Sequence, residues 1–313
     1  MGVLVTADIG GTQIRVASYP RNGTQPIQLQ RASTQSSTGT AFDRLAALIA
    51  SIWPQDDRVE AISVASAGPL DPETGVILAA PNIPGWTNFP LGKRLVERFK
   101  VPVFVGNDAN LAALGEWRYG AGQGHHDLIY LTISTGIGGG VISNDQLLLG
   151  HRGMAAELGH ITVLPDGPLC PCGQRGHLEA LSSGPAIARY VNEKLAEGEA
   201  SILAPNPNLT AHEVAEAANR GDALAKAAFA RAGEYLGQAL ADYLHIFSPS
   251  IVILGGGVSK SGPLLFEPLQ ETLRKRVMDP NYLKDLSIVP AALGDDAGLL
   301  GALVFAQMKL AST

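Results

Sequence analysis

Two stretches of the chain read as versions of one another. Residues 3–18 are VLVTADIGGTQIRVAS and residues 128–143 are LIYLTISTGIGGGVIS. Each is an apolar strand, a turn rich in glycine and threonine, and a second apolar strand, the pattern of a β-hairpin. One such hairpin opens each half of the chain. That placement predicts two related α/β domains, with ligands in the crevice between them. Two unrelated hairpins would show the same short strings. The first turn sets Asp8 at a strand end beside Gly10, Gly11 and Thr12. Amides without side chains can cradle a phosphate, and a nearby carboxylate can hold water on Mg²⁺. An ordinary tight turn would use the same glycines.

Between and after the hairpins, apolar periodicity predicts helices at 40–53, 91–99, 111–117, 183–195, 222–247, 264–277 and 296–308. Thr210 and Glu213 form a capping box before one more. Short apolar runs predict strands at 2–7, 14–19, 59–65, 101–105, 128–134, 141–142, 251–254 and 286–289. The glycines between 134 and 141 are expected in the turn. Asn107 and Asp108 fall where a strand hands over to a helix, the rim where α/β sheets bind ligands. Such a pair is commonly a helix cap, and a cap position can also be an active-site position. Gly255, Gly256 and Gly257 follow a strand directly and would let adenine or ribose lie on bare backbone. A tight strand-to-helix turn explains them equally well.

The stretch 156–181, AELGHITVLPDGPLCPCGQRGHLEAL, holds both cysteines of the protein, Cys170 and Cys172. His160 and His177 bracket them, and Glu157 and Glu179 flank the outer edges. Two thiols and two imidazoles in so short a span match a tetrahedral zinc set. A disulfide between residues this close would be strained, and two cysteines make no disulfide framework. The competing reading is a redox-inert turn with chance histidines. A zinc here would be structural, because no ligand is left over for an open position.

Composition narrows the function classes. The 313 residues are 46% hydrophobic and 17% charged, with net charge −6. The absence of a basic run argues against nucleic acid or an anionic membrane as a partner. No apolar run reaches the length of a membrane span, and the first residues do not read as a signal peptide. With so few cysteines, the expected compartment is a reducing cytoplasm.

In this order and spacing, the motifs resemble those of the ROK sugar kinases, within the actin/hexokinase/Hsp70-like superfamily, over essentially the whole chain. They are D8-I-G-G-T12, A67-G-P-L-D71 with P81-N-I-P-G-W86, and G106-N-D-A-N110. T135-G-I-G-G-G140, E157-L-G-H160, C170-P-C-G-Q-R-G-H-L-E179 and L254-G-G-G-V258 complete the set. The resemblance implies an α/β fold of two actin-like (ribonuclease H-like) domains with a cleft between them. A small domain would span 1–119, with the helix at 297–313 packed back on it, and a larger domain would span 120–296.

The resemblance also implies ATP-dependent phosphorylation of the 6-hydroxyl of a hexose, foremost glucose. Fructose, mannose, allose and N-acetylated hexosamines or mannosamines are the alternatives. So are polyphosphate as donor and a non-catalytic, sugar-responsive regulator. Repressors of the family carry a helix-turn-helix ahead of the first motif, and Asp8 stands too early to leave room for one. By resemblance, Asp108 is the general base. Asn107, Glu157, His160 and Glu179 meet the ring hydroxyls, with Gly68 and Asn82 lining the same pocket. Gly10, Gly11, Thr12, Thr135, Gly136 and Gly138 hold phosphates, and Gly255, Gly256 and Gly257 the adenosine side. Asp8 acts on Mg²⁺ through water. His160, Cys170, Cys172 and His177 hold zinc. Position 177 is a cysteine in the commonest family pattern; histidine there gives a Cys₂His₂ set with one fewer negative charge. The resemblance further implies a homodimer or homotetramer.

Overall fold

The computed structural model describes residues 2–36, 39–80 and 82–312. The chain opens with an antiparallel β-meander, β1 (Gly2–Ile9), β2 (Gln13–Pro20) and β3 (Gln28–Ser33). Helix α1 (Ala41–Ser51) follows, its first turn closed by a Thr40–Asp43 capping box. Strand β4 (Arg58–Ser66) then lies parallel to β1. A small antiparallel sheet of β5 (Leu70–Asp71), β6 (Val76–Ala79) and β7 (Thr87–Phe89) precedes α2 (Leu91–Phe99). Strand β8 (Val103–Asn107) lies parallel to β4, and α3 (Asp108–Tyr119) leaves its end.

The second half repeats the plan. Strands β9 (Leu128–Ile133), β10 (Ile137–Ser143) and β11 (Gln146–Leu147) form an antiparallel meander. Helices α4 (Glu179–Ser182), α5 (Gly184–Ala196), α6 (Ala211–Asn219) and α7 (Ala223–Phe247) follow. Strand β12 (Ile251–Gly255) is parallel to β9, α8 (Pro263–Arg276) crosses over, and β13 (Ser287–Pro290) is parallel to β12. The chain closes with α9 (Ala297–Ala311).

The two large sheets have the same order, β3-β2-β1-β4-β8 and β11-β10-β9-β12-β13. The repeat seen in two short strings is therefore a repeat of whole sheets. Each has its own apolar core, built from alternate strand residues and the inner faces of its helices. Between the sheets pack α3 and α9, joined by Leu111, Leu114, Ala302 and Phe305. Leu299, Leu303 and Ala306 of α9 also pack on Leu4 and Ala61 of the first sheet. The two helices cross very closely. A side chain on Gly301 would strike the carbonyl of Leu111, and one on Gly115 that of Ala297.

Two local expectations change. The glycines 138–140 lie in strand β10, not in its turn, which is only Ser134, Thr135 and Gly136. Helix α3 starts at Asp108, earlier than its apolar pattern, because Asn107 caps it by accepting from the amides of Ala109 (3.0 Å) and Asn110 (3.1 Å).

Candidate active site

The strand ends β1, β9 and β12, the hairpin turn after β1, and the first turns of α3 and α9 enclose a cleft of 570 Å³. Asp8, Gly10, Gly11, Thr12, Asp108 and Gly255–Gly257 line it, as the sequence suggested. Arg15, Thr132, Lys260, Asp295 and Gly298 also line it, and sequence reasoning passed over these. A second cavity of 860 Å³ continues the first through Ser134, Gly257 and Lys260. Thr135, Pro185, Leu209, Ala211 and Val258 give this second cavity its largely apolar wall.

The amides at the turns differ. Gly10 N–H closes its hairpin on the Gln13 carbonyl at 3.0 Å. Among the described residues, the N–H groups of Gly11 and Thr12 have no such partner, nor do those of Thr135 and Gly136. Thr34 braces the first turn, its amide donating to the Thr12 carbonyl and its hydroxyl to that of Gly10. Gly11 abuts Asn82, where a Cβ would lie 2.7 Å from the asparagine Cβ. The loop carrying Asn82 is folded tightly by Ala80–Trp86 and Trp86–Ile83 backbone bonds, and Trp86 stacks on Phe89 at 4.9 Å. Pro81, the first residue of that motif, lies outside the described residues. Gly68, at φ +93°, lets the chain pass the Ala79 carbonyl, 1.9 Å from where a Cβ would sit.

The glycines of β10 are packing positions. Gly138 pairs with Thr132 and faces Ala109, and Gly140 faces Ala113 and the Ala109 carbonyl. Their bare Cα atoms let α3, with Asp108 at its tip, lie directly on the second sheet. On the opposite side, Gly139 admits Leu158, and Gly159 passes the Ile137 carbonyl. Tyr243 of α7 donates to the Leu158 carbonyl and holds the segment down.

The cleft is acidic. Burial, and after it the charge of Asp108, lifts the carboxyl of Asp8 to about 7, opposed by Arg15. Burial also raises Asp108, although its Oδ1 accepts from the Ala109 amide at 2.8 Å. Glu157 is raised as well, chiefly by withdrawal from water; Asp108 and Glu179 add to this and His160 opposes it. Arg15 sits opposite Asp8 in the β1–β2 ladder and reaches the Asp295 carbonyl and the Asp296 carboxylate ahead of α9. Lys260 forms no ion pair among the described residues.

The cysteine stretch folds as a small knuckle. Thr162 bridges His177 and Leu169 bridges Arg175, and Gly176 at φ +71° passes the Leu164 carbonyl. This brings one ligand atom each from His160, Cys170, Cys172 and His177 within 4.8 Å of one another. Cys170 Sγ lies 3.7 Å from His160 Nδ1, and Cys172 Sγ lies 3.2 Å from His177 Nδ1. A tetrahedral zinc with ordinary bond lengths separates its ligands by roughly 3.3–3.8 Å, so the set fits. Glu179 ties the knuckle to the second hairpin. Its Oε1 accepts from Cys170 Sγ at 3.5 Å and its Oε2 from the Ile137 amide at 2.9 Å.

Two copies of one mixed sheet about a glycine-walled acidic cleft define the two-domain, actin-like α/β class. The family model described as "ROK family" matches residues 4–309, and the chain belongs to the ROK family. It is 38% identical to the glucokinase of Thermotoga maritima over 96% of this chain and 95% of that one. It resembles the crystal structure of a ROK family glucokinase from Streptomyces griseus in complex with glucose and AMPPNP. That likeness has TM-score 0.81 and 36% identity, covering 98% of this chain and 100% of the other. The ROK hexokinase from Thermus thermophilus superimposes with TM-score 0.84 at 36% identity, covering 99% of this chain and 100% of the other.

Proposed function

We propose that this protein is an ATP-dependent glucose kinase, transferring the γ-phosphoryl group of ATP to the 6-hydroxyl of the sugar. The observation that carries the reading is that Asp108 lines one cleft with the hairpin amides of Gly11 and Thr12, which have no backbone partner among the described residues. Phosphoryl transfer depends on positioning and charge stabilisation more than on covalent chemistry.

Asp108 takes the proton of the attacking hydroxyl, a role suited to a carboxyl that burial has made more basic. Asn107 spends its side-chain oxygen on the helix cap and keeps its amide N–H₂ to donate to the sugar. Glu157, His160 and Glu179 bind the ring hydroxyls, and Gly68 and Asn82 shape the same pocket. Gly11, Thr12, Thr135 and Gly136 receive phosphate oxygens, and Lys260 supplies a cation where the two cavities meet. The larger cavity, floored by Gly257 and Val258, takes the adenosine.

Mg²⁺, when bound, neutralises charge on the transferring phosphoryl group, and Asp8 would hold it through water. A carboxyl lifted to about 7 by burial and a neighbouring carboxyl is one that a dication would stabilise as an anion. Zinc, held by His160, Cys170, Cys172 and His177, would brace the knuckle. A ligating Cys170 is a thiolate and donates nothing, which releases Glu179 Oε1 for a sugar hydroxyl. His160 ligating through Nδ1 keeps its other ring nitrogen for the same task.

Residues 1–119 with helix α9 (Ala297–Ala311) form one lobe and 120–296 the other, and they close over the substrates to exclude water. No helix among the described residues is long and apolar enough to cross a membrane. A cytoplasmic enzyme acting as a homodimer or homotetramer is the assembly the family resemblance implies.

A panel of hexoses with ATP, read by ADP release, tests the proposal. Glucose is expected to give the highest kcat/KM. A higher value for fructose, mannose, allose or an N-acetylated sugar would reassign the substrate. No sugar-dependent ADP release from any of them would reject a kinase.

A further inference from the structure

Glu116 is buried completely, at 0% exposure, in the third turn of α3. No lysine or arginine pairs with it among the described ion pairs. Its partners are three backbone amides, one just past the end of its own helix and two from a segment far along the chain. Oε2 accepts from Ala121 at 2.9 Å and from Ala292 at 3.1 Å, and Oε1 accepts from Leu293 at 2.8 Å. Gly120 is glycine where a Cβ would fall 2.1 Å from this carboxylate.

These segments share one property. Residues 120–122 carry the chain out from α3 toward β9, in the second sheet. Residues 291–293 carry it back from β13, in the second sheet, to α9, which packs on the first. One carboxylate therefore fastens the outgoing and returning crossovers to a single helix. That helix bears Asp108 at its other end. The returning crossover leads within a few residues to Asp295 and Asp296, which hold Arg15, and to Gly298, whose Cα abuts Asp8.

A buried ion without a counter-charge is costly, and an apolar contact would hold two loops at lower cost. A carboxylate has a different property. Its lone pairs accept several amides over a range of angles, so the bonds persist while the donors rotate. We infer that Glu116 is a positioning residue, the pivot of the two crossovers: it keeps both on α3, so that the larger lobe swings while Asp108 and Asp8 stay together in the smaller one. This rests on the two-lobed kinase reading above.

The test compares the wild-type protein with Glu116→Gln, which keeps the shape but turns one acceptor into a donor facing N–H groups. Small-angle scattering is recorded with and without glucose, and ATP hydrolysis is measured relative to sugar phosphorylation. The wild type is expected to compact on glucose. The folded variant should lose most of that change, and its ratio of wasted to productive turnover should rise roughly tenfold, the scale of one charged hydrogen bond. A folded variant with wild-type compaction and ratio overturns the pivot and leaves the kinase reading intact. A wild type that neither compacts nor releases ADP with sugar sinks both. If the variant does not fold, amide exchange on the wild type decides. The N–H groups of 121, 292 and 293 should stay protected with and without glucose, and exchange as fast as an exposed loop overturns the pivot.

Discussion

The charge of Asp108 acts across the cleft on Asp8 and, second only to burial, lifts its carboxyl from 3.8 to about 7. Between those values the folded protein binds a proton that the unfolded chain does not. The stability from this group is complete below the unfolded value and drains away as pH rises to about 7. Asp8→Asn removes the cost of the buried charge. At pH 8 without ligand the variant should gain roughly 1–3 kcal/mol and melt higher, while phosphorylating sugar poorly. A lower melting temperature would contradict this.

Asp108→Asn keeps size and hydrogen bonding but removes the base. Turnover should fall by roughly 10²–10⁴, the usual range for a lost general base, with glucose affinity by calorimetry little changed. In the wild type, kcat/KM should rise with pH through a value above the ordinary carboxylate range, because burial raises Asp108. An unchanged pH profile and turnover in the variant would remove it from the chemistry.

Cys172 is exposed and Cys170 buried, so Cys172→Ala disturbs packing least. Elemental analysis should find about one zinc per chain in the wild type and little in the variant. Because Glu179 links the knuckle to the second hairpin, kcat/KM should fall roughly 10–100-fold with the metal. Full activity without zinc would show the knuckle to be dispensable.

Gly140 and Gly257 should respond in opposite ways. A Cβ on Gly140 would lie 2.6 Å from that of Ala113 and 3.1 Å from the Ala109 carbonyl. Gly140→Ala should cost roughly 1–3 kcal/mol by overpacking. Gly257 has nothing within 4 Å of an added Cβ and borders both cavities. Gly257→Ala should leave the melting temperature unchanged and raise KM for ATP, with KM for glucose unmoved. Equal loss of stability in both variants would contradict the distinction.

The sheets were legible where apolar runs met tight turns. Strand β3 was not, because nearly all its residues are exposed and carry no alternation to read. The short β5–β7 sheet was hidden among turn residues. The glycines 138–140 read as a turn because a sequence does not show that Ala109, Ala113 and Leu158 press on them from two sides. The convergence of His160, Cys170, Cys172 and His177 in the knuckle was readable, since these residues are close in sequence. Arg15, Lys260 and Glu116 gave no local signal. Their positions follow from pairing between strands, the junction of two cavities, and crossovers more than 170 residues apart in the chain.

The most direct test of the base role is a crystal structure with glucose and a non-hydrolysable ATP analogue. The distance to measure runs from the Asp108 carboxylate to the sugar 6-hydroxyl oxygen. Hydrogen-bond contact, at about 2.6–3.2 Å, is expected. A carboxylate turned away from the sugar, with the 6-hydroxyl meeting another group, would contradict the role assigned to Asp108 and the reaction built on it.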